Sequence, residues 1–101
     1  PVFFEDDVHW GRSWAFDPYR AAFASPGLKI LNFHPFLWTL NVPDAQFYAA
    51  HRHHIPTLDA YQARALRHSG PGGATFLDHI IAFVREGGGH FVTLSQFCET
   101  L

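Results

Sequence analysis

The sequence predicts a parallel α/β protein, one that forms the closing part of a larger sheet or barrel. Two observations carry this. Short apolar runs near 2–5, 28–33 and 90–94 alternate with helical stretches, the pattern that yields parallel strands. Three such strands alone would leave two open sheet edges, which stable folds avoid. Residues 1–101 are therefore expected to be the C-terminal part of a single domain, with the N-terminal half preceding Pro1.

The elements follow in order. Val2-Phe3-Phe4 is a buried strand delivering Glu5, Asp6 and Asp7 at its C-terminal end, and His9 to Phe16 is a loop rich in aromatics. Asp17-Pro18 opens a short helical turn through Phe23, with Asp17 as N-cap and Pro18 at the first helical position. Leu28 to Phe33 is nearly all apolar, as a strand covered on both faces should be, and Pro35 ends it. A helix is expected from Asp44 to about His51 and a shorter one within Leu58 to Leu66. Thr75 to Glu86 places Phe76, Leu77, Ile80, Ile81 and Val84 on one helical face, with a capping-box-like Thr75 and Asp78 at its start. Gly87-Gly88-Gly89 stops that helix; His90 to Leu94 reads as a strand, and Ser95 caps a last turn.

Composition narrows the function classes. Apolar residues make up 48% and aromatics 17%, including eleven Phe, too many for a disordered segment. The net charge is −2 and the seven Lys and Arg are scattered, so no basic stripe exists for nucleic acid. No apolar stretch approaches a membrane span. The single cysteine excludes an internal disulfide, and neither a G-x-S-x-G, a GxGxxG nor a P-loop is present. Compartment stays open between cell envelope and cytoplasm.

In parallel α/β proteins, chemistry collects where strands end. Two strand ends here carry suitable groups: Glu5-Asp6-Asp7 after the first, and His34 after the second. A carboxylate beside a histidine orients the ring and favours a general acid. The competing reading is a capping or solvated role for the acids and a structural one for His34. His51-Arg52-His53-His54 invites a zinc site, since His51 and His54 are one helical turn apart. With no acidic or thiol ligand nearby, a cationic helix end is the better reading. His9, His68, His79 and His90 read as surface groups. Trp10, Trp14 and Trp38 follow the two strand ends and offer flat faces to sugar rings, although ordinary loop packing is the competing role.

Several pieces together resemble the NodB-type polysaccharide deacetylases, in particular divergent bacterial members. Leu31-Asn32-Phe33-His34-Pro35 looks like that family's late strand ending in histidine, and Phe4-Glu5-Asp6-Asp7 like an acid-bearing strand end before it. Gly89-His90-Phe91-Val92-Thr93-Leu94-Ser95-Gln96-Phe97 is similar to the family's closing strand and helix. The resemblance implies the C-terminal portion of a distorted (β/α) barrel of the glycoside hydrolase/deacetylase superfamily. It implies metal-dependent hydrolysis of N-acetyl groups on a polysaccharide or cell-surface glycan, in which an aspartate acts as base and His34 protonates the leaving amine. Asp6 or Asp7 would tune His34, while Leu31 and Phe33, with Trp10 and Trp38, would line the substrate site. The divalent metal, zinc or similar, is expected on earlier strands, with no metal ligand within 1–101 and no activity of this chain by itself. The alternative is a non-catalytic carbohydrate-binding or scaffold protein on the same barrel.

Overall fold

The computed structural model describes residues 2–101. Two strands form among them: β1, Val2–Glu5, and β2, Lys29–Asn32. They pair in parallel with Val2 opposite Lys29 and Glu5 opposite Asn32. Between them lie a 3-10 turn, Asp17–Tyr19, and helix α1, Arg20–Ala24. After β2 come α2 (Pro35–Thr39), α3 (Ala45–His51), a 3-10 segment (Arg52–Thr57), α4 (Ala60–Leu66), α5 (Gly73–Glu86) and α6 (Leu94–Glu99).

This overturns the barrel expectation. Helix accounts for 53% of the chain, and the described residues contain only the two parallel strands. The first two strands stand where the apolar runs put them, but the run at 90–94 does not become a third. His90 to Thr93 has no regular structure, and Leu94 already belongs to α6. The physical reason is local. Thr93 and Gln96 form a reciprocal capping box, the Gln96 amide donating to Thr93 Oγ1 and the Thr93 amide to Gln96 Oε1. A box of this kind draws the following residues into a helix. Thr93, not Ser95, is the cap.

Other helix starts follow their caps more closely. Asp44 Oδ1 accepts from the Phe47 amide at 2.8 Å, and Asp59 with Gln62 makes a full capping box on α4. Asp17 does not cap; it lies inside the 3-10 turn and pairs with Arg20 on the surface. The expected Thr75–Asp78 box does not form either. Helix α5 begins two residues earlier, at Gly73, and its free amides are met from elsewhere in the chain. Asn41 Oδ1 accepts from the amides of Ala74 (2.9 Å) and Thr75 (3.3 Å). Asn41 Nδ2 donates to the carbonyls of His68 and Gly70. Asn41 has φ of 51°, a left-handed conformation that asparagine tolerates better than most residues. Gly72 leaves room for it: a Cβ there would stand 2.3 Å from the Asn41 carbonyl oxygen.

Two apolar clusters support this frame. The first gathers Phe4, Trp14, Phe16, Phe76 and Ile80, with Phe33, Phe83 and Val84 against it. Phe76 and Ile80 lie one turn apart on α5 and are fully buried, as the 3.6-residue period predicts. Each such side chain contributes about 1.5–3 kcal/mol by leaving water. The second cluster holds Leu37, Leu40, Val42 and Ala63 beneath α2, α3 and α4. Trp10 packs against both clusters, so the turn after β1 is anchored between them.

Candidate functional site at the strand ends

Strand alternation decides which acid turns inward. Phe4 is buried on the core face of β1, and Asp6, two residues on, continues that face with 1% exposure. Sequence reasoning left Asp6 and Asp7 as alternatives; the residue that points in is Asp6. The parallel register places it beside the end of β2, where the Asp6 amide donates to the Asn32 carbonyl.

Both oxygens of Asp6 hold His34. Oδ1 lies 2.7 Å from His34 Nδ1, and Oδ2 accepts from the His34 amide at 2.9 Å. Backbone and ring are thus fixed by one carboxylate. Oδ1 also accepts from the Asp7 amide at 2.8 Å, which ties down the turn. A buried carboxylate on Nδ1 assigns the proton there and leaves Nε2 for chemistry. The His34 side chain keeps 33% exposure, so the pair is reachable from solvent. The Asp6 hydrogen bond raises the His34 pKa above its ordinary value; partial burial opposes this, and the charges of Asp6, Asp7 and Glu5 add to it. Pro35 at the first position of α2 then turns the chain away, leaving His34 at the helix boundary.

The two other acids complete an anionic rim. Glu5 Oε1 accepts from Asn32 Nδ2 across the register. Asp7 Oδ1 is shut off from solvent and accepts no hydrogen bond. One carboxylate oxygen from each of Glu5 and Asp7 and one ring nitrogen of His34 all lie within 4.8 Å of one another. Two oxygens and an imidazole are a donor set that zinc and similar divalent ions accept. The resemblance puts the metal ligands on earlier strands, and residues 5, 7 and 34 have no motif spacing that would mark them as a donor set.

The aromatic residues separate into three roles. Trp14 is core, 6% exposed, its indole N–H donating to the Pro43 carbonyl at 2.8 Å. Trp10 lies tilted against Tyr48 (5.2 Å between rings), Tyr48 stacks on Phe36 (5.9 Å), and Phe36 meets His34 at a tilt (5.9 Å). This wall flanks the dyad, and Phe36 and Tyr48 are members that sequence reasoning missed. A Pro-initiated helix directly after the histidine was the available signal for Phe36. Trp38 lies two residues on, about 200° round the helix. It is 41% exposed, with the Arg67 guanidinium over its ring at 5.6 Å, and stands apart from the wall. Phe33 stacks on Phe4 at 5.3 Å and Leu31 packs against the first cluster, so both support the site from the core.

The remaining histidines do not join it. His9 is buried, not superficial: its ring packs among Phe4, Trp14, Tyr19 and Phe76, and Nε2 meets the Ser13 carbonyl at 2.8 Å. His51 ends α3 against Phe47, and His53 and His54 lie ring to ring on the following 3-10 segment. An apolar groove of about 420 Å³ runs along β2 between Phe23, Ile80, Phe91 and Phe97, but neither Asp6 nor His34 lines it. Among the described residues no helix is long and apolar enough to cross a membrane. No family model, curated protein or solved structure matches the chain.

Proposed function

We propose that the Asp6–His34 pair is the proton-transfer part of a hydrolytic site acting on N-acetyl groups of a polysaccharide or glycan. The single observation that carries this is the double grip of buried Asp6 on His34 at the ends of two adjacent parallel strands. In this reading Asp6 is a positioning residue and His34 the catalytic acid. Water adds to the acetyl carbonyl and releases its protons to solvent. The C–N bond breaks, and His34 Nε2 delivers its proton to the departing amine nitrogen and is reprotonated from solvent, giving acetate and a free amino sugar. The raised pKa of His34 suits it to hold that proton near neutral pH. A divalent metal of the kind the NodB-type resemblance implies would polarise the carbonyl and activate the water. The choice of amide and sugar rests on the resemblance carried by residues 31–35 alone, since 90–94 forms no closing strand; the proton-transfer role rests on the geometry.

Trp10, Tyr48 and Phe36 support a place for a sugar ring beside the dyad. The same wall favours the second reading, a protein that binds carbohydrate without cleaving it.

Acetate release from an N-acetylated oligosaccharide separates the two, measured on the protein with and without added divalent metal. His34→Gln is expected to lower the rate by about 10²–10⁴-fold, the usual contribution of a positioned acid. Sugar binding retained by His34→Gln, with no acetate released by the unmodified protein, would establish the binding reading instead.

A further inference from the structure

We infer that Glu5, Asp7 and His34 form a divalent-cation site in this chain, selective for zinc-class ions that accept mixed oxygen and nitrogen donors. The inference goes beyond the hydrolytic reading, and cation binding does not depend on it.

Three independent features converge. The first is proximity: a donor atom from each residue lies within 4.8 Å of the other two. Donors around zinc at ~2.0–2.2 Å stand roughly 3.4 Å apart, so closure needs up to about 1.4 Å of movement. Glu5 is only partly buried and can supply it by changing rotamer. The second is the state of Asp7. Its Oδ1 atom is closed to solvent and has no donor, a costly condition for a carboxylate oxygen unless something positive meets it. Among the described residues no Lys or Arg forms a salt bridge with Glu5, Asp6 or Asp7. The third is the support behind His34. Nδ1 is committed to buried Asp6, so the proposed cation takes Nε2, which makes no hydrogen bond among the described residues. A carboxylate behind a ligating histidine fixes the ring and makes it a stronger ligand, the recurring outer-shell arrangement of metal centres.

The site has a consequence for the proposed chemistry, and this part does rest on that reading. A cation and a proton cannot share Nε2, so an ion bound here would silence the proton donor. The site would then act as an inhibitory position, separate from whatever ion assists hydrolysis.

Calorimetric titration of the metal-free chain with zinc chloride tests the binding without substrate. One ion per chain is expected. Glu5→Gln, Asp7→Asn and His34→Gln should each weaken binding at least tenfold, and Asp6→Asn by about 10–100-fold through loss of outer-shell support. His51→Asn and His54→Asn should leave it unchanged. Circular dichroism identifies any variant that fails to fold, and three separate ligand substitutions keep the test decisive if one does. Absence of one-to-one binding up to millimolar zinc would overturn the inference. So would unchanged affinity in folded Asp7→Asn and His34→Gln, or loss of binding in His51→Asn. Because the calorimetry contains no substrate and acetate release is assayed with and without zinc, failure of the cation site and failure of the hydrolytic reading remain distinguishable.

Discussion

Two buried polar side chains organise this protein, and they differ in what they leave undone. Asn41, 2% exposed, uses both ends of its amide: two backbone amides on Oδ1 and two carbonyls on Nδ2. All four bonds go to backbone groups, and they join the end of α2 to the start of α5. Asp6, 1% exposed, is as fully engaged, yet the group it holds is not. Among the described residues His34 Nε2 makes no hydrogen bond, and neighbouring Asp7 Oδ1 makes none either. A closed network of this kind serves the fold, since unmet buried groups are costly. A network that is rigid behind and open in front is the arrangement a reactive site needs.

The largest effect that would break this contrast lies on the Asn41 side. Asn41→Ala strands two helix-start amides and two carbonyls and puts alanine at a left-handed φ. We expect a loss of about 3–4 kcal/mol, read as a shift in the urea midpoint. Asn41→Gly should recover about 1 kcal/mol of it, the part due to backbone conformation alone. Substitution of Gly72 by alanine should act through the same joint, since its Cβ would collide with the Asn41 backbone and side chain. If Asn41→Ala were neutral, the joint would not be the organising element claimed here.

A smaller effect is expected where a polar contact is exposed. The Arg67 guanidinium donates to the carbonyls of Trp38 and Thr39 at the end of α2, and it also covers the Trp38 ring. Solvent competes for both contacts. Arg67→Ala should therefore cost only about 0.5–1 kcal/mol by the same denaturation measurement. A loss comparable to that of Asn41→Ala would mean that burial does not separate the two regions.

Much of this was legible in the residues. The stripe Phe76, Ile80, Val84 announced α5, and Asp44 announced α3, because capping and helical periodicity act over a few residues; the Asp59 cap of α4 was visible in the sequence but not read from it. His34 at a strand end was legible for the same reason. The inward turn of Asp6 was implicit in the alternation from Phe4, but it needs the phase of the strand, which its irregular end obscures. The joint at Asn41 was not legible at all: its partners lie 27–34 residues away, and no spacing rule connects them. The run at 90–94 misled because Phe91, Val92 and Leu94 suit a strand, yet a strand needs a partner edge. The Thr93–Gln96 box, visible in the sequence, was the stronger local signal.

The open side of the comparison has its own direct test. Because Asp6 holds the charged ring, the His34 pKa in the folded protein stands above the unfolded value of about 6.5. By linkage, the stability this pair contributes is present in full below that value and is lost as pH rises through the folded pKa. The decisive measurement is the NMR titration of the His34 ring in metal-free protein, unmodified and with Asp6→Asn. The account predicts a midpoint above 6.5 that falls toward it in the variant, with the stability gap between the two proteins narrowing as pH rises. An identical midpoint in both proteins would contradict the claim that Asp6 prepares His34 for proton transfer.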